Sequence, residues 1–169
     1  SSNRSKAAIR SNLAECNYLV HCSDYSPHFS DEQGVPMTIR TRLTERLGLK
    51  HPILSAPMAM VAGGKLASAV TKAGGLGLIG GGYGDADWLD EQFREAGNTP
   101  VGCGFITWSL ANAPHLLDRA LGHKPSCIFL SFGDPAPFAP KISSAGALLI
   151  IQVQTIEGAK AAIDAGAEI

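Results

Sequence analysis

The apolar run Leu76-Gly77-Leu78-Ile79 leads into Gly80-Gly81-Gly82-Tyr83-Gly84, and three consecutive glycines at the end of such a run let a ligand press against bare backbone. Four other short segments follow apolar runs in the same way. They are Ala56-Pro57-Met58-Ala59-Met60, Thr107-Trp108-Ser109, Ser131-Phe132-Gly133-Asp134 and Gln152-Val153-Gln154. All five are poor in ionisable groups. Hydrolysis wants carboxylates or histidine beside the bond being broken, whereas small, apolar, backbone-exposing residues suit a flat aromatic ligand held by main-chain amides. Met58 fits two roles equally, core filling or a soft lid over a ring system.

The histidines stand elsewhere: His21 and His28 near the beginning, His51 ahead of the first apolar run, His115 and His123 in or at the end of a helical stretch. Neither a Ser-His-Asp set nor a metal cluster can be assembled from these positions. Gly75, Gly77 and Gly80 match the glycine spacing of a dinucleotide fingerprint. That fingerprint turns from strand into helix after its first glycine, but here the glycines flank and occupy the strand, and helical sequence begins only after Gly84. The pattern is therefore read as a helix stop followed by a small-residue strand.

The elements that position these segments repeat. Gly48, Gly74, Gly97, Gly122, Gly146 and Gly166 recur at intervals of roughly 20 to 26 residues, most of them in Ala-Gly pairs of the kind that end helices. After each comes a continuous apolar run, which predicts parallel strands buried on both faces, near 52–57, 76–80, 101–106, 126–131 and 147–152. Between strand and glycine the apolar residues take helical spacing, as in Leu66, Val70 and Ala73, or Ile156, Ala159 and Ile163. Asp85 or Asp87 can cap the helix of the second unit and Thr155 that of the fifth. Three prolines in 135–145 allow only a short or late helix there.

Strand then helix, so repeated, is an α/β fold: a (β/α)8 barrel or an open doubly wound sheet. In either, reactive groups lie past the carboxyl ends of the strands, where the five segments above fall. A complete barrel takes about 250 residues. Residues 37–169 supply little more than half of that, five βα units and the start of a sixth strand at Ala167-Glu168-Ile169, so the expectation is a partial TIM (β/α)8 barrel and a fragment of a longer protein.

The chain carries 14 Lys+Arg against 15 Asp+Glu in 169 residues, a net charge of −1. No basic surplus is available to release counterions from nucleic acid or to hold an anionic membrane surface. No apolar run approaches the roughly 20 residues of a membrane span. Cys16, Cys22, Cys103 and Cys127 show no paired short spacing and read as reduced thiols of a cytoplasmic protein. Residues 1–36 lack periodicity and read as an irregular, removable extension. Their first fourteen residues hold three basic and no acidic side chains, as a transit peptide would, but without a starting Met.

His51-Pro52-Ile53-Leu54-Ser55-Ala56-Pro57-Met58-Ala59, then Leu66-Ala67-Ser68-Ala69-Val70 and Ala73-Gly74-Gly75-Leu76-Gly77-Leu78-Ile79-Gly80, resemble the opening of the nitronate monooxygenase (2-nitropropane dioxygenase) family. Val101 to Phe105, Ser131-Phe132-Gly133 and Gln152-Val153-Gln154-Thr155 extend the resemblance over roughly residues 38–169. It implies a TIM-barrel flavoprotein that binds FMN and oxidises alkyl nitronates with molecular oxygen to carbonyl compounds and nitrite, with nitronate and oxygen as its small-molecule partners. It further implies that Ala56, Pro57 and Met58 lie against the isoalloxazine, that Gly80 and Gly81 let the ring approach the second strand, and that Gln152 offers an amide to its polar edge.

Two departures accompany it. Many members of the family carry Asn where this chain has Gly104. The family's Gly-Gly-His segment, with a catalytic histidine, and its phosphate-binding loops come after the fifth unit, so no catalytic residue is assigned here and the 169-residue chain alone is expected to be inactive. A flavin-dependent enoyl reductase of fatty-acid synthesis is the alternative enzyme. A non-catalytic fragment that self-associates through open sheet edges is the alternative of another class.

Overall fold

The computed structural model describes residues 39–83 and 85–169; the readings made for residues 1–36, Cys16 and Cys22 lie outside them. The chain enters through α1 (Arg42–Leu47), which a reciprocal Thr41/Thr44 capping box starts and Gly48 at φ 64° ends. Next come α2 (Gly64–Lys72), β1 (Leu78–Gly80), α3 (Ala86–Ala96), β2 (Gly102–Ile106), α4 (Thr107–Asn112), α5 (His115–Gly122), β3 (Cys127–Ser131), α6 (Ala139–Ser144), β4 (Leu148–Ile151) and α7 (Ile156–Asp164). All strand pairs are parallel and the spatial order is β1-β2-β3-β4. A doubly wound sheet reverses its strand order, whereas sequential order with helices on one face is the winding of a barrel. The fold is α/β, an arc of a TIM (β/α)8 barrel.

The register decides which side chains meet. Ile79, Cys103, Ile128 and Leu149 form one row across the sheet, and they join Leu89, Phe93, Leu110, Leu116, Leu117 and Ile142 of the helices in the main core. The alternate residues face the concave side, where Leu76, Leu78, Cys127 and Ile150 pack with Leu47, Leu49, Leu54 and Phe129. The continuity of the apolar runs has this cause: both faces are covered. On the concave side β2 offers Gly102 and Gly104 before Ile106, which lines the cleft at the strand's end. A Cβ at Gly102 would overlap Leu78 and Cys127, whose side chains lean into the gap.

The expected first strand, 52–57, is reduced to a single parallel bridge between Leu54 and Leu76, closed by Leu76 N–H to Ile53 O at 2.9 Å and Ser55 N–H to Leu76 O at 3.0 Å. Pro52 and Pro57 have no N–H to give, which keeps the ladder short. At the other end, Ile151 N–H donates to Ile169 O at 3.0 Å and Glu168 N–H to Leu149 O at 2.9 Å, two contacts beside β4, while residues 167–169 form no strand.

Helix starts follow the sequence where a local cap exists. Asp85 accepts from Trp88 N–H at 2.9 Å and Thr155 from Gly158 N–H at 3.0 Å, contacts worth about 1 kcal/mol each. α6 is short, as its prolines require. Two details differ from expectation. Segment 107–109 is the first turn of α4 rather than a loop. Gly122 stays helical, and Lys124, at φ 55°, makes the left-handed turn instead.

α2 begins without a side-chain cap of its own. Gln92 of α3, nearly buried, supplies it: its Oε1 accepts from Gly64 N–H at 3.0 Å. A Cβ at Gly64 would overlap the carbonyl oxygen of Gln92, and one at Gly77 would overlap that of Ala67. α2 thus lies backbone against backbone between α3 and the strand entering β1. Gly75 and Gly77 are accounted for by this packing, in line with the small-residue-strand reading of the fingerprint.

Candidate flavin site

At the carboxyl ends of the strands a cleft of about 700 Å³ opens. Ala56, Pro57 and Met58 form one wall, Ser131 and Phe132 another, with Tyr83 and Gln152 at the sides and Leu54, Leu78 and Phe129 of the concave core as floor. Among the described residues, no Asp, Glu, Lys, Arg or His lines it.

Local sequence shapes each wall. Pro57 is held in a tight turn closed by Met58 N–H to Ala56 O at 2.9 Å, and the Met58 carbonyl then accepts from Ala62 N–H at 2.8 Å. Proline's fixed φ suits such a three-residue turn. Ser55 is occupied: its hydroxyl accepts from Leu78 N–H at 2.8 Å and anchors the first segment to β1. Ser131 is buried and its hydroxyl donates to Phe105 O at 3.3 Å. Gln152 is anchored by its N–H to Leu130 O at 2.9 Å, while its side chain is exposed at the cleft.

Of the six residues expected at the cofactor, Ala56, Pro57, Met58 and Gln152 come together in this cleft. Gly80 and Gly81 are not among its lining residues. The space beyond the Gly80 Cα holds the Met58 carbonyl, and that beyond Gly81 holds the Phe105 ring and the Gly104 carbonyl. The absence of side chains at these two glycines lets the first wall and β2 close in on β1.

The residues fit a flat ring system better than a complete nucleotide. An apolar floor, a prolyl and a thioether wall and an amide at one side can bury and orient a flavin ring. The cleft has no cationic side chain for a phosphate. Thr107, at the end of β2, keeps a buried hydroxyl without a partner. Cys103 and Cys127 stand away from the cleft in the two cores; burial pushes Cys127 up to about 12 and Cys103 further in the same direction, so both remain protonated thiols. Of the described histidines, His51, His115 and His123, none lines the cleft; His123 stacks on Phe93 at 4.5 Å with its Nε2 2.9 Å from Asp90. Among the described residues no group of three His, Cys, Asp or Glu could hold a metal ion.

Tyr83 and Phe132 line the cleft and Trp108 pairs with Tyr83 beside it; all three stand in segments the sequence singles out, but sequence reasoning gave their rings no role. Their signal in the sequence is positional, since each stands within three residues of the carboxyl end of a strand.

Residues 40–103 match the family model described as nitronate monooxygenase. The chain is 28% identical over 160 residues to the nitronate monooxygenase of Neurospora crassa, covering 71% of this chain and 42% of that protein. It is 26% identical over 134 residues to a 5-hydroxy-7a-methyl-1-oxo-octahydro-1H-indene-4-carboxyl-CoA dehydrogenase of Rhodococcus jostii, covering 78% and 38%. Among solved structures it is similar to FabK from Thermotoga maritima, with 31% identity and a TM-score of 0.69 over 78% of this chain and 43% of that one. The chain spans less than half the length of each of these proteins. Through residues 40–103, with the barrel arc and cleft those residues help to build, the chain is similar to the nitronate monooxygenases.

Proposed function

We propose that the cleft holds the isoalloxazine ring of FMN and that the protein is a flavin-dependent oxidoreductase acting on alkyl nitronates. The observation that carries the reading is the meeting of Ala56, Pro57, Met58 and Gln152 in one apolar cleft free of acidic, basic and histidine side chains. FMN, when bound, supplies the electron transfer that takes a nitronate and oxygen to a carbonyl compound and nitrite. The chain's own residues bind and orient. Pro57 and Met58 cover a ring face and exclude water, Gln152 hydrogen-bonds the polar edge, and Ser131, satisfied through Phe105, keeps its lone pairs for a ring N–H. Gly80, Gly81 and Gly104 act at one remove by letting the first wall pack against β1 and β2. A phosphate group finds its partners outside the cleft.

The family match over residues 40–103 supports the nitronate reading. The likeness to FabK, at a TM-score of 0.69, favours a second one, a flavin-dependent enoyl reductase. The experiment is a fluorescence titration of FMN with the purified chain, followed, on an FMN-loaded version extended to the length of its relatives, by nitrite release from ethyl nitronate and by NADH oxidation with an enoyl thioester. Saturable quenching that Pro57→Ala and Gln152→Ala each weaken at least fivefold supports the cleft. Nitrite release supports the first reading, and enoyl-dependent NADH oxidation the second. Absence of saturable FMN binding refutes the site.

A further inference from the structure

We infer that Tyr83, Trp108 and Phe132 form a platform for the apolar body of the organic substrate, and that this substrate carries an aromatic or similarly bulky hydrocarbon group rather than a short alkyl chain. The inference rests on the flavin reading above and specifies the substrate of that same site.

These residues follow three neighbouring strands; Tyr83 and Phe132 line the cleft, and Trp108, outside its lining, adjoins both through its ring pairing with Tyr83 and its N–H bond to Phe132 O. Their exposures are 64%, 55% and 54%, while Phe93, Phe105 and Phe138, which serve the core, are at most 7% exposed. Trp88 and Phe129 are half-buried against the two cores, so among the described aromatic residues these three alone are displayed, and they follow the strand ends where ligands bind in this fold. The Tyr83 and Trp108 ring centroids are 6.3 Å apart with planes tilted by 44°, within the range of favourable aromatic pairs. Met58, itself 50% exposed, lies in the same cleft as Tyr83 and Phe132 and adds a polarisable thioether.

The display is held in place. Phe132 adopts φ 56°, a conformation that costs a side-chain-bearing residue about 1–2 kcal/mol. Its carbonyl accepts from Trp108 N–H at 3.2 Å, tying the first turn of α4 to the loop after β3. Gly133 follows at φ 154°, where a Cβ would come within 2.9 Å of Thr107 Cβ. Strain maintained by surrounding contacts at the mouth of a cleft is a mark of a binding element. The absence of cationic side chains from the cleft lining means that these residues gain nothing from a phosphate-rich substrate; the contact they offer is apolar and aromatic.

Binding of neutral probes to the flavin-free 169-residue chain tests the platform apart from the flavin reading. Ligand-observed NMR at pH 6 would compare (2-nitroethyl)benzene with nitroethane, in the original chain and in Tyr83→Ala, Trp108→Ala, Tyr83→Phe and Trp108→Phe. The expected result is affinity for the aromatic probe at least tenfold above that for nitroethane, reduced at least fivefold by either Ala variant and kept within threefold by either Phe variant. Thermal midpoints of the Ala variants, whose side chains lie outside the core, monitor folding. Equal binding of the two probes, or aromatic binding indifferent to both Ala variants, overturns the inference. A dimer seen by sedimentation that dissociates in the Ala variants also overturns it, by assigning the surface to a second copy. Aromatic binding with no FMN binding would leave the platform standing and remove the flavin reading. FMN binding without aromatic selectivity would do the reverse.

Discussion

The ring of Pro57 occupies the place a side chain at Gly104 would take: a Cβ built on Gly104 overlaps Cβ and Cγ of Pro57. The first wall of the cleft and the middle of β2 are therefore in direct contact, and the missing side chain at 104 sets how deep the wall sits. Gly104→Asn, which restores the residue common in the related family, is expected to destabilise the chain by about 1–3 kcal/mol through overpacking. It should also weaken FMN binding at least tenfold. Denaturant unfolding and flavin titration measure the two effects, and unchanged values for both would separate Pro57 from Gly104.

Gly81 and Phe105 form a second such pair, since a Cβ at 81 would overlap the Phe105 ring. Gly81→Ala is expected to cost about 1–3 kcal/mol, and Phe105→Leu to recover part of that loss. The double-mutant cycle reads the coupling, expected at about 0.5 kcal/mol or more. Additive single effects would mean that the Gly104 carbonyl, 2.9 Å from the same Cβ, is the real obstacle.

Asp90 is held below the usual carboxylate range, first by its hydrogen bond from His123 and then by the charge of Arg119. A depressed folded-state value contributes stability above the unfolded carboxylate value of about 3.9, and loses it as pH falls through the folded value. The thermal midpoint of Asp90→Asn is therefore expected to lie below that of the original chain near neutrality and to converge with it below about pH 4. A constant gap across that range would argue against the linkage.

Lys124 takes φ 55° immediately before Pro125, a conformation glycine adopts at no steric cost. Lys124→Gly is expected to raise the thermal midpoint by about 2–4 °C, the shift of roughly 1 kcal/mol in a chain of this size. A lower midpoint would show that the Lys124 side chain earns more than the backbone loses.

Cys103 and Cys127 should resist alkylation in the native chain at pH 8 and react on unfolding, since burial keeps both thiols protonated. Peptide mapping after iodoacetamide treatment distinguishes them from Cys16 and Cys22. Native-state labelling of either would contradict their burial.

Much of the fold was legible because the two-sided burial of a parallel sheet leaves continuous runs such as Cys127 to Leu130, and because Asp85 and Thr155 cap locally. The start of α2 was not, since its cap comes from Gln92, 28 residues away. Gly48, Gly74, Gly97, Gly146 and Gly166 all take positive φ at helix ends. Gly122 does not, because nothing local distinguishes a glycine that ends a helix from one that stays in it. At the cleft, Ala56 to Met58 and Gln152 could be placed by counting to the ends of strands. The role of Gly80 and Gly81 could not, because the Met58 carbonyl and the Phe105 ring that fill their space arrive from segments 22 to 24 residues away.

The contact of α2 with its neighbours through bare backbone has a consequence for how the chain opens. Gly64 N–H is bonded to Gln92 and Gly77 N–H to the Thr71 hydroxyl at 2.9 Å, so one amide reports on α3 and the other on the strand side of the same helix. With no side chains between them to yield, α2 cannot loosen from one neighbour by small adjustments while keeping the other. The first βαβα unit should therefore lose its protection as one cooperative block, with these two amides exchanging their hydrogens at matched opening free energies.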